Sequence, residues 1–202
     1  MAELLDELSK ATDKDKRVYE NSLEEIRAEL KKEVKGLEEW SWARGRVLPL
    51  ILSRDECKAL MNAFTKGKIA WRNNLIIRVL YAAGMKVEEL ERLRFEDICF
   101  DIGDVFIRGG EKNRERYSFL DPETLDKLMT WMEGKEPGES VFEISARQIR
   151  SIVKRAGEKT GISRKFEAIG RRFTAYTLRH TFACHCYEEG MRLPTLRKLL
   201  GF

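Results

Sequence analysis

The chain has 202 residues, 43% hydrophobic and 36% charged, a balance that suits a helix-rich globular protein with one main core and a small appendage. No run approaches the roughly 18 apolar residues of a membrane span, and the start Met1-Ala2-Glu3-Leu4-Leu5-Asp6 lacks the basic and apolar regions of a signal peptide, so a cytoplasmic protein is expected. The net charge of +4 is uneven: residues 1–45 hold 9 Lys/Arg against 12 Asp/Glu and the remainder 29 against 22, so a polyanion fits only the larger part.

Residues 1–39 read as one or two charged helices, because Leu23, Ile26, Leu30, Val34 and Leu37 recur at three and four with Glu/Lys pairs on the other face. Trp40 to Pro49 reads as a connector. Together, residues 1–45 form an expected helical arm and linker, and 46–202 the main domain. Ser53-Arg54-Asp55-Glu56 is a capping box that predicts a helix from there to about residue 65. Another spans 70–83, with Leu75, Ile76, Ile77, Val79 and Leu80 marking it as central to the core, and Gly84 closes it. A short helix over 87–93 follows at once. Two β-like runs, 105–108 and 116–120, flank the polar turn Gly109-Gly110-Glu111-Lys112-Asn113-Arg114 and predict a hairpin in which Tyr117 and Phe119, like Phe95, serve the core. Pro122 starts a helix to 132, and Ser145 a basic one to 160, closed by Gly161. The last helices are predicted at 177–189 and 193–200, so the fold class is mainly α with one small β-hairpin or sheet.

Positive charge concentrates in residues 145–172, where Arg147, Arg150, Lys154, Arg155, Lys159, Arg164, Lys165, Arg171 and Arg172 face only Glu158 and Glu167. That bias favours a nucleic acid over a solvated face. The cysteines Cys57, Cys99, Cys184 and Cys186 are scattered and are expected as thiols. Cys184-His185-Cys186 projects its side chains at about 100° steps on a helix and cannot converge on one ion, so no metal is expected.

Near the C-terminus stands Tyr176-Thr177-Leu178-Arg179-His180-Thr181-Phe182-Ala183, then Gly190, then Leu200-Gly201-Phe202. It resembles the second active-site box of the tyrosine recombinases, which reads His-x-x-Arg-His-Thr-Phe-Ala before a glycine and a Leu-Gly-His triplet. Further motifs follow the same order. Leu50 to Glu56 is similar to the first helix of that domain, and Tyr81 to Leu90 with Leu93-Arg94-Phe95-Glu96-Asp97-Ile98 to the first box. The hairpin is similar to the segment that holds the family's catalytic lysine.

The resemblance implies a tyrosine recombinase catalytic domain acting on double-stranded DNA, with no cofactor, no metal and no small-molecule substrate. A phosphodiester under attack becomes dianion-like, so positive donors must surround its oxygens, and arginine offers two parallel bonds that never lose their charge. By position, Arg179 is the phosphate ligand, Lys112 the hairpin lysine with Arg114 or Arg116 as alternatives, Glu89 the acidic buttress and His180 a support. Lys86 stands where the family has its first arginine, Tyr176 where the box has histidine, and Phe202 where His or Trp completes the phosphate shell. Arg147, Arg150, Lys154, Arg155, Arg171 and Arg172 are the expected DNA contacts. No tyrosine follows the Leu-Gly-Phe triplet, which implies a truncated or degenerate chain inactive on its own, monomeric in solution and partnered by other recombinase protomers on DNA. Two functions fit: a recombinase separated from its nucleophile, or an inactive relative that binds DNA or an active recombinase as a regulator.

Overall fold

A computed structural model describes residues 49–110 and 115–202, all within the compact unit Pro49–Phe202. The expected N-terminal arm, the tryptophan connector and the hairpin turn with Lys112 and Arg114 lie outside the described residues.

Eight α-helices and a three-stranded sheet are found among the described residues. Helix α1 (Arg54–Met61) starts at Ser53, whose hydroxyl accepts from the Glu56 amide while the Glu56 carboxylate accepts from the Ser53 amide, the reciprocal box expected. It stops four residues short of the prediction. Helix α2 (Gly67–Ala82) buries Leu75, Ile76, Ile77, Val79 and Leu80 and is the core's central rod. Helix α3 (Val87–Arg92) follows it, then a single 3-10 turn (Phe95–Asp97).

Strands β1 (Ile98–Cys99), β2 (Asp104–Ile107) and β3 (Arg116–Phe119) pair antiparallel in that order, with Val105 opposite Ser118 and Ile107 opposite Arg116. Strands β2 and β3 pair as expected, and β1, whose two residues are too few to carry an alternating pattern, extends them to a sheet of three. Its facing also departs from expectation. Tyr117 is 64% and Phe119 38% exposed, whereas Arg116 and Ser118 point inward. The polar residues win the inner face because partners wait there: the Ser118 hydroxyl donates to the Ala83 carbonyl at 2.9 Å and Arg116 meets a buried carboxylate. Phe95 does pack against the core, partly buried.

Helices α4 (Pro122–Met132), α5 (Ala146–Lys159), α6 (Ile162–Glu167), α7 (Ala175–Glu188) and α8 (Leu193–Leu200) complete the domain. The sequence reading missed α6, a single short turn of charged residues anchored by buried Ile162 and Phe166. Helix α2 packs against α1, α4, α5 and α7; α3 lies on α5, and α8 packs on α7 and β3. A satellite cluster of Phe182, Cys186, Leu196 and Leu200 seals that last junction.

Candidate phosphate site and nucleic-acid groove

The end of α2 sets the first part of the site. The Gly84 and Met85 amides donate back to the Tyr81 and Leu80 carbonyls at 3.3 and 3.2 Å, the two bonds of a Schellman closure, with Gly84 at φ +57. A Cβ on Gly84 would stand 2.4 Å from Phe182 Cδ1, so glycine is needed for both the backbone and the close approach of α7. The chain turns straight into α3, where the Lys86 amide donates to Glu89 Oε2 at 2.7 Å.

Glu89 is the centre of a buried ion cluster. Arg116, from β3, holds it with a fork: Nη1 to Oε1 at 2.5 Å and Nη2 to Oε2 at 2.9 Å. Its Nε donates to the Leu199 carbonyl at 2.6 Å. Arg179, from α7, donates through Nη1 to the Gly84 carbonyl at 2.7 Å and through Nη2 to the Leu200 carbonyl. Its Nη1 lies 3.8 Å from Glu89 Oε2, an ionic contact beyond hydrogen-bond length. Phe202 lies over the same guanidinium, 5.8 Å from ring centre to Cζ. The two arginines thus fasten the end of α8 to the turn that carries Lys86.

Charge and burial act together here. Burial pushes the Glu89 carboxyl up, but the Arg116 hydrogen bonds, the Lys86 amide and the charges of Arg116 and Arg179 outweigh it and hold it below its ordinary range. Burial, with the like charge of Arg116, lowers Arg179. Lys86, half-buried, is lowered by burial and by the positive charges of Arg179 and Arg116, against the pull of Glu89. Three cations around one carboxylate leave the cluster positive.

In front of it runs a groove made of three adjoining cavities. The first, about 360 Å³, is lined by Lys86, Glu88, Arg150, Thr174 and Tyr176 among others. A second of about 230 Å³ shares Thr174 and Tyr176 and adds Arg171, Arg172 and His180. The third, about 450 Å³, shares Arg150, Arg172 and Thr174 and adds Lys154, Glu158 and Glu167. Five cations therefore face three carboxylates along the groove. Two of those acids are engaged, Glu88 with Arg150 and Glu158 with Lys154.

Most of the residues singled out from the sequence meet here. Lys86 and Tyr176 line the groove; Tyr176 sits in the first turn of α7, its ring edge-on to His180 at 4.5 Å. Burial and the Arg179 charge lower His180, which favours the neutral imidazole. Arg179, the expected phosphate ligand, is only 3% exposed and lines none of the three cavities. Arg150, Lys154, Arg171 and Arg172 line the groove. Arg147 is exposed on the same helical stripe as Arg150 and Lys154, while Arg155 is exposed about 100° around the helix from Lys154. Lys112 lies outside the described residues. The sequence reading did not foresee the Arg116–Glu89 fork or the Glu88–Arg150 ion pair. Both pairs join residues distant in the chain, 27 and 62 positions apart, and no local pattern announces them.

The Cys184-His185-Cys186 run is helical. His185 is buried with Nδ1 2.7 Å from the Tyr81 hydroxyl, whose pKa burial raises to about 12.

Fold and site together define a mainly helical domain of the tyrosine recombinase catalytic type. Residues 51–202 match the model of the phage integrase family, and the chain belongs to that family. It is 29% identical over 166 residues to tyrosine recombinase XerA of Thermococcus kodakarensis, covering 77% of this chain and 55% of that protein. Tyrosine recombinase XerD of Staphylococcus epidermidis is 31% identical over 169 residues, 76% of this chain and 54% of the relative. The chain thus spans about half the length of these relatives. Among solved structures, XerA recombinase superposes with a TM-score of 0.64 at 22% identity, over 96% of this chain and 75% of that one. XerH recombinase bound to its difH substrate gives 0.62 at 22% identity, over 77% and 47%.

Proposed function

We propose that this chain is a site-specific recombinase or integrase-type protein that binds double-stranded DNA along the Lys86–Arg172 groove and grips one backbone phosphate at the cluster of Lys86 and Arg179. The observation that carries the reading is the meeting of Lys86, Arg116 and Arg179, drawn from three distant stretches, around one buried carboxylate at the wall of a cation-rich groove. Such a cluster is costly without an anion to complete it. A DNA phosphate would satisfy that need, and would raise the depressed Lys86 ammonium back toward its ordinary pKa. The XerH relative solved on its DNA substrate supports the same use of this fold. Lys112 and Tyr176 complete the proposed site, the exposed Arg147 extends the contact surface beyond Arg150, Lys154, Arg171 and Arg172, and Arg155 stands at its margin. Other recombinase protomers on the same DNA are the proposed protein partners.

Six phosphate contacts predict a fall in affinity of roughly 10³-fold between 50 and 200 mM salt. A gel-shift series on duplex DNA tests this, and retention that ignores salt would remove the reading.

A second reading, a DNA-bound regulator that does not cut, is favoured by Lys86. A point charge stands where the family resemblance implies a bidentate arginine, a change that costs an aimed donor in the transition state. Incubating a version extended past Phe202 to a tyrosine with a nicked suicide duplex separates the two readings: covalent adduct supports the enzyme, and salt-sensitive binding without adduct supports the regulator.

A further inference from the structure

We propose that Arg116 is a positioning residue whose bidentate hold on Glu89 keeps that carboxylate from closing on Arg179, so that the site stays positive toward an anion. The inference rests on the phosphate-site reading given above and concerns how that site keeps its charge.

Arg116 spends its charge on the Glu89 carboxylate, whereas Arg179, no more exposed, donates to neutral carbonyls and keeps its charge for an anion. The Arg116 side chain is 5% exposed, both Nη atoms donate to Glu89, and Nε donates to the Leu199 carbonyl. Whatever it does for DNA, it does through Glu89. That carboxylate is fully buried, so an ionised Glu89 cannot turn to water and must find a cation. Arg179 is at hand, with Nη1 3.8 Å from Oε2, about an ångström too far for a hydrogen bond. Removing the Arg116 fork leaves Arg179 as the nearest guanidinium, and a small shift would close that gap into a tight pair. The site charge would then drop from the net +2 of Lys86, Arg116, Arg179 and Glu89 to +1, with Arg179 itself neutralised. A lysine cannot do the same work, because one ammonium does not hold both carboxylate oxygens in plane.

The test is a rescue experiment read by fluorescence anisotropy on a labelled duplex across a salt series, with a thermal melt for each variant. Arg116→Met should bind about tenfold more weakly than wild type, with the salt slope shallower by about one. Adding Glu89→Gln removes the carboxylate that would quench Arg179, so Arg116→Met/Glu89→Gln should return to within about threefold of wild type. Arg116→Lys should fall between the two. A purely structural role predicts that binding follows melting temperature across the variants with the salt slope unchanged. If Arg116→Met does not melt cooperatively, Arg116→Gln with and without Glu89→Gln carries the same comparison. A double variant that recovers neither folding nor binding overturns the proposal. Wild-type protein without salt-sensitive DNA binding removes the phosphate-site reading and this inference together. Wild-type binding without rescue removes the positioning role alone.

Discussion

Arg116 and Arg179 are almost wholly buried and each donates to at least two acceptors, whereas Arg150 and Lys154 stand more than half exposed with one acid apiece beside them. The two sets share a sign and little else. The buried pair orders the site: it joins β3, α7 and the end of α8 to the turn at Gly84–Glu89, and its charge is fixed by what surrounds it. On the proposed reading the exposed set adds affinity, because surface cations release counterions when a polyanion binds and form only weak bridges with neighbouring acids. Position in the fold, more than residue type, therefore decides whether a basic side chain governs stability or binding.

The largest expected effect breaks the buried half of that contrast. Glu89→Ala leaves two guanidiniums in the core with their shared counter-ion gone, and should cost about 3–5 kcal/mol of folding stability, read by urea unfolding. Acid gives the same answer without a mutation. Because the Glu89 carboxyl sits below its ordinary 4.5 in the folded protein, its contribution is complete above that pH and is lost as acid protonates the folded carboxylate below it. Wild type should therefore lose melting temperature below about pH 4.5 more steeply than Glu89→Gln. Next in size is Gly84→Ala, which meets Phe182 Cδ1 at 2.4 Å in a left-handed backbone. About 2 kcal/mol of destabilisation is expected, without any change in the charge of the groove.

How far the chain itself foretold these arrangements depends on whether the cause was local. Ser53 and Glu56 cap α1 as a four-residue motif, and Gly84 closes α2 through its own backbone, so both were legible. The apolar run of α2 likewise announced the centre of the core. The inward turn of Arg116 was not legible, since Arg116-Tyr117-Ser118-Phe119 alternates in a way that normally buries the aromatics. Its true facing depends on Glu89, 27 residues away, and on the Ala83 carbonyl. Arg179 was found by its motif, but nothing in that motif tells that its donors meet Gly84 and Leu200 carbonyls. Long-range polar pairing fixed those details, and a single sequence carries little trace of it.

The exposed half of the contrast is sharpened by comparing neighbours on α5. Arg150 lines two of the groove's cavities, so Arg150→Ala should weaken duplex binding by about fivefold and reduce the salt slope by about one. Part of that loss comes from Glu88, which is freed from its ion pair with Arg150 and leaves its charge uncompensated in the groove near Lys86. Glu88→Gln should accordingly act in the opposite direction, tightening binding by about twofold through the loss of one repulsive charge. Arg155 lies about 100° around the helix from Lys154 and lines none of the three cavities described. Its removal should change affinity by less than about twofold if the groove is where DNA lies. Equal losses for Arg150→Ala and Arg155→Ala would instead mean that the duplex rides over the whole outer face of α5, and that the groove walls do not set its path.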